Sequence, residues 1–375
     1  MPGIAPTARV LLKARPTEAQ LADRLSEPVP PGLELYLDAE DLKDLDYLNH
    51  LACRLRELRP FTEFVYVVEG PIRSLDGSFF DLSVNSEANR ECLLRLVDLA
   101  EAIGSEAVLI HAITPMRLET PLSQGLRRAK LEASLPLVEH YVRVAQQRGL
   151  VPLLENIPPV ARQRESSFMC TPIGMSAEDL IFFSSRFPGL GATVDLSHAG
   201  LYLNGRNMEP SQAPAELDPI VRYLSTFDDT PDIESYLKRV EPFLFEVHVS
   251  NARGLIEEGL PYGDGDLDLD ALAIRLAPSV RYLVTETLEP DADKGVYMRE
   301  AQQRLEMALG CVEIWGRGDE ETRRQGDGPH PLPLPHGERG EELPLSEGDS
   351  NPPLPMGEGR GEGSLERQPN GCPHP

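Results

Sequence analysis

Eight short β-rich runs separated by helical patterns are the feature that most constrains this chain. They are VLLKA (10–14), LELYL (33–37), FVYVV (64–68), AVLIH (107–111), VPLLE (151–155), GATVD (191–195), LFEVH (244–248) and YLVTE (282–286). Strand–helix alternation of this kind, sustained over about 315 residues, indicates an α/β protein with a parallel sheet. Eight is also the number of strands that closes a (β/α)8 TIM barrel, and that is the expected fold. An open doubly wound sheet is the alternative. No GxGxxG follows the first strand to give that alternative a nucleotide site.

The helical segments carry their own punctuation. In 86–103 the residues Leu93, Leu96, Val97, Ala100 and Ile103 share a face, and Gly104 supplies the stop. A second helix is expected over 124–148, ending at Gly149. A third, near 296–315, keeps Ala301, Leu305, Ala308, Leu309 and Val312 on one stripe. Composition then breaks. From Arg317 onward the chain is Pro, Gly, Glu and Arg, and PLPHGERGEE (333–342) partly returns as PLPMGEGRGEG (353–363). Such a segment cannot bury enough apolar surface to offset chain entropy. The expected organisation is a barrel over 1–316 and a disordered tail over 317–375.

Bulk properties narrow the function. The 375 residues are 41% hydrophobic and carry a formal net charge of −25, which argues against a nucleic-acid partner because no local basic cluster offsets it. Cys53, Cys92, Cys170, Cys311 and Cys372 form no CxxC pair, a pattern expected of reduced, structural thiols. The first residues, MPGIAPTARVLLKARP, hold no apolar segment of signal-peptide length. With no apolar run of membrane-spanning length either, a soluble, cytoplasmic protein is expected, with no membrane partner.

The chemistry lies in how the strands stop. The fourth to eighth runs end, in order, on His111, Glu155, Asp195, His248 and Glu286. In a parallel barrel all C-terminal strand ends share one mouth, so these groups would converge. A lone acid at a strand end is usually a helix cap or a solvated loop residue. Asp38, before AEDLKDL, is read as a cap, and Glu69 could be similar. Three carboxylates crowded together repel unless a cation neutralises them. Glu155, Asp195, His248 and Glu286 form an oxygen-rich set with one nitrogen. That set suits a divalent metal ion, Mn2+, Mg2+ or Co2+, with Zn2+ also admissible. After the seventh run, YGDGDLD is a Gly-rich loop expected near the mouth. Arg253 has two readings, a fork for substrate oxygens or a surface partner of Glu257 or Glu258.

LLEN with Glu155, TVDLSHA with Asp195 and His198, VHVSNAR with His248 and Arg253, GDGDLD, and VTETL with Glu286 occur in a set order. Together they resemble the xylose isomerase-like TIM-barrel superfamily of sugar isomerases, ketose 3-epimerases and endonuclease IV. For the epimerase-type members, the resemblance implies that Glu155, Asp195, His248 and Glu286 bind one metal. It further implies that Glu155 and Glu286 exchange protons with a substrate carbon. His198 and Arg253 would hold substrate oxygens, or, with His111, a second metal. The expected activity is isomerisation or epimerisation of a small sugar or polyol derivative through an enediolate. The expected partner is that small molecule, and a homo-oligomer stays open. The alternatives are an endonuclease IV-like phosphoester hydrolase and a non-catalytic barrel. Against the former, GLIEEGLPYGDG lacks a histidine, and Glu69 stands where that group has one. Asn251 also departs from the Asp common in epimerase-like members.

Overall fold

The computed structural model describes residues 8–162, 168–228 and 230–310. Eight parallel strands close into a barrel in simple sequence order. They are β1 (Arg9–Ala14), β2 (Gly32–Tyr36), β3 (Val65–Glu69), β4 (Ala107–His111), β5 (Val151–Glu155), β6 (Gly191–Asp195), β7 (Leu244–Val249) and β8 (Tyr282–Thr285). Closure is made by β8 against β1, in register from Arg9↔Tyr282 to Leu12↔Thr285.

Period-two alternation explains both the core and the site. Leu12, Leu33, Leu35, Val68, Val108, Ile110, Leu154, Val194 and Val247 belong to the large core shared with the helices. Leu11, Val67, Ala107, Leu109, Leu153, Tyr282 and Val284 form a separate cluster inside the barrel. Two residues further along the same inward rows come Lys13, Glu69, His111, Glu155 and Glu286. Successive side chains on a strand face opposite ways, so a residue at i+2 inherits the inward direction. Apolar residues fill the barrel to about mid-height, and charged ones floor its C-terminal mouth.

The helices start and stop where their local chemistry dictates. Ser86 caps the helix Glu87–Ala102 by accepting from the Asn89 amide, and Gly104 takes φ 65° at its end. Gln124–Gln147 is likewise capped by Ser123 and ends before Gly149 at φ 74°. Both glycines occupy the left-handed region that terminates helices and that other residues enter at a cost. The last described helix is Val296–Ala308. Val312, Trp315 and the whole 317–375 segment lie outside the described residues.

Two small sheets sit on the loops after β4, β5 and β7. Met116–Arg117, Val160–Arg162 and Phe168–Cys170 make one, and Asn251–Arg253 pairs with Glu257–Leu260 in the other. Among the described residues, no helix is long and apolar enough to cross a membrane. Cys92 and Cys170 are free and buried.

Candidate functional site

The five strand-end residues do converge. Ligand atoms of Glu155, Asp195, His248 and Glu286 all lie within 4.8 Å of one another. His248 turns Nδ1 toward Glu286 Oε2 (2.5 Å) and Glu155 Oε1 (3.4 Å). Its Nε2 lies 3.1 Å from Glu34 and 3.5 Å from Glu246 Oε1. One imidazole nitrogen therefore faces the ligand cluster while the other is held by a carboxylate. That is the arrangement that orients a metal-binding histidine.

Asp195 has two jobs. Its Oδ1 accepts from the His198 amide at 2.7 Å and caps the helix Leu196–Asn207. Its own amide donates to Asn156 Oδ1 at 2.7 Å, and Asn156 Nδ2 donates back to the Asp195 carbonyl at 3.1 Å. This reciprocal pair ties the end of β5 to the end of β6. His198 lies in the first turn of that helix, and its Nδ1 donates to the Asn156 carbonyl at 2.9 Å. Its Nε2 points toward Glu258 Oε2 at 3.8 Å.

His111 brings Nε2 to Glu69 (3.1 Å) and Glu155 (3.5 Å). Glu69 is therefore a buried member of the cluster, not a cap. Asp38 is the cap, at the helix Ala39–Lys43, in a reciprocal box with Asp41. Arg253 is not brought to the cluster. Its side chain is 55% exposed, pairs with Glu257 at 3.4 Å and donates to the Asp264 carbonyl. Asn251 is spent on the loop that follows: it donates to the Tyr262 and Leu267 carbonyls and accepts from the Ala252 and Leu267 amides.

The sequence reading missed Lys13, Glu34, Glu246 and Glu258. Glu34 and Glu246 interrupt apolar strands and are wholly buried. Glu246 stands two residues before His248, so the same alternation that directs His248 inward could have flagged it.

Charges in this floor are strongly coupled to burial and to one another. Burial acts to raise Glu155, but the His248 and His111 imidazoles outweigh it and hold the carboxyl down at about 2. Burial lifts Asp195 to about 6 and Glu246 to about 8. For His248 burial opposes the proton, yet Glu34, Glu155 and Glu286 raise it well above its ordinary value. The carboxylates that hold protons on these imidazoles would equally hold a divalent cation, since both are positive charges in a buried anionic cluster. Both oxygens of Glu155, Glu286 Oε2 and His248 Nδ1 are buried and meet only one another and the His111 and His198 imidazoles, with His248 Nδ1 2.5 Å from Glu286 Oε2 and 3.4 Å from Glu155 Oε1. Buried polar atoms are nearly always partnered. A divalent cation would take the place of the imidazole proton among these carboxylates, so the donor set fits a metal ion.

Above the floor is a cavity of about 520 Å³. Lys13, His111, His198, Glu258 and Glu286 line its polar end, and Ile72, Ile113, Ile157, Met169, Leu288 and Met298 its apolar wall.

No protein-family model and no curated protein matches the sequence. Solved structures do match the fold. An L-ribulose 3-epimerase structure is 14% identical with a TM-score of 0.54, covering 84% of this chain and 99% of that one. A D-tagatose 3-epimerase-like protein is 18% identical with a TM-score of 0.52, covering 80% and 99%. An AP endonuclease, family 2, from Brucella melitensis is 12% identical with a TM-score of 0.51, covering 78% and 98%. These likenesses, all under 25% identical, show the fold: a closed (β/α)8 TIM barrel.

Proposed function

We propose that the protein is a metal-dependent isomerase or epimerase of a small sugar or polyol derivative. The observation that carries this reading is the set Glu155, Asp195, His248 and Glu286, four side chains from four successive strand ends whose oxygen and nitrogen atoms all lie within 4.8 Å of one another. Names of the similar structures, an L-ribulose 3-epimerase and a D-tagatose 3-epimerase-like protein, support the same chemistry. These four residues would hold Mn2+, Mg2+ or Co2+, with Zn2+ also accommodated. When bound, such an ion polarises a substrate carbonyl and lowers the energy of an enediolate.

The chain's own groups do the remaining work. Glu286 is 28% exposed and lines the cavity, whereas Glu155 lies beneath it, fully buried. Glu286 and Glu155 would remove and return the proton on the carbon beside the carbonyl. His198 and His111, which both line the cavity, would donate hydrogen bonds to substrate oxygens. The apolar wall would exclude water from the exchangeable proton. A phosphoester hydrolase is the second reading. It is favoured by Glu69, His111 and Glu155, whose ligand atoms also fall within 4.8 Å of one another and could take a further ion.

Metal analysis of the purified protein separates the two. About one ion per chain is expected for the epimerase, and two or three for the hydrolase. An absent ion, with melting unchanged by EDTA or Mn2+, would end both readings. Incubation with candidate ketoses in D2O should wash deuterium into the carbon beside the carbonyl. Glu286→Gln should abolish that exchange while staying folded; retained exchange would remove Glu286 from the role.

A further inference from the structure

Lys13 ends the inward row of β1 and lines the cavity with its side chain only 10% exposed. Its Nζ lies 2.5 Å from Glu69 Oε2 and 3.6 Å from Glu34 Oε1, and it contacts Glu286 Oε1. One oxygen from each of three carboxylates, on or just after β2, β3 and β8, is thus gathered around a single positive charge. We propose that Lys13 is a tethered cation that fills a second cation position in the mouth. The chain then takes a single divalent ion, and Glu286 is presented to it through Oε2 alone. This inference rests on the reading that Glu155, Asp195, His248 and Glu286 bind a divalent ion.

The geometry divides the floor into two cation positions that share Glu286. On one side Glu286 Oε2 faces His248 Nδ1 within the four-ligand set. On the other, Oε1 is taken by Lys13. A second divalent ion bound by Glu69, His111 and Glu155 would have to draw on Glu69. Both oxygens of Glu69 are engaged, Oε2 by Lys13 and Oε1 by His111 Nε2 at 3.1 Å. Two cations in one buried pocket repel, and the ammonium is always present because the backbone of β1 delivers it. Removing Lys13 would leave Glu34, Glu69 and Glu286 with only the His248 and His111 imidazoles as counter-charges, one positive charge short. A buried group of that kind recruits a cation from solution.

The test is ion stoichiometry, read by elemental analysis and titration calorimetry on the full chain with Mn2+. Wild type should carry about one ion, and Lys13→Met about two. Lys13→Arg, which keeps the charge, and the double variant Lys13→Met with Glu69→Gln should each return to about one. After EDTA treatment, Lys13→Met should melt below wild type and recover on adding Mn2+. A Lys13→Met protein that still binds a single ion, with unchanged affinity and unchanged EDTA sensitivity, would overturn the proposal. Failure to fold even with Mn2+ would overturn it too, since a divalent ion could then not replace the ammonium. Wild type that binds no ion, with an ion appearing in Lys13→Met, would instead sink the epimerase reading and leave the role of Lys13 standing.

Discussion

Asn251 offers the sharpest test of how the mouth is held. It is buried, and its amide satisfies four backbone groups: the Tyr262 and Leu267 carbonyls at 3.0 Å each, the Ala252 amide at 2.9 Å and the Leu267 amide at 3.0 Å. Both donor hydrogens and the acceptor oxygen are used, so this one side chain closes the loop between Asn251 and Leu267. Asn251→Ala removes four bonds, each contributing about 1 kcal/mol net. The expected loss is about 3–4 kcal/mol, offset slightly where water enters. Asn251→Asp keeps the acceptor but turns a carboxylate oxygen toward two carbonyls 3.0 Å away. Losing two donors and leaving those carbonyls unpartnered predicts about 3 kcal/mol. Either variant should lower the melting temperature by roughly 6–16 °C on the scaling for large single domains. Urea denaturation gives the free energy, and hydrogen exchange at the Ala252 and Leu267 amides should accelerate in both variants. Asn251→Asp within 1 kcal/mol of wild type, with both amides still protected, would refute the assignment of Asn251 to loop closure. Asparagine here would then need another explanation than the one the hydrogen bonds supply.

Further outcomes are expected elsewhere. Mn2+ at about 100 times its dissociation constant should stabilise the protein by about 2.7 kcal/mol, an effect absent from Asp195→Ala if that residue is a ligand. Gly174 has φ 89°, and an added Cβ would lie 2.0 Å from the Ala112 carbonyl oxygen. Gly174→Ala should therefore cost at least about 2 kcal/mol by denaturation. Burial pushes the Cys92 thiol and the Tyr66 phenol up, each to about 12, from ordinary values of 9.0 and 10.0. Folding favours their neutral forms, so this contribution is complete below pH 9 and is lost as pH rises through about 12. Denaturation midpoints should fall in that window, and Cys92 should resist alkylation at pH 8 until the chain is unfolded.

Much of this molecule is local and therefore legible in the chain. All eight barrel strands fall within a residue of their β-rich runs, and helix ends coincide with Ser86, Gly104 and Gly149. Capping chemistry and period-two burial act over a few residues, so no long-range information is needed to read them. The same alternation delivers His111, Glu155, Asp195 and His248 to one face of the barrel once its closure is assumed. What the sequence could not decide is which charges become neighbours. Lys13 meets Glu286 across 273 residues of chain, and His248 meets Glu34 across 214. Those encounters depend on the order in which strands close and on their register, which no local pattern encodes. Asp195 shows both levels in one residue. Its helix-capping role is written in the residues beside it, whereas its place in the four-residue cluster exists only because β5, β6, β7 and β8 lie side by side.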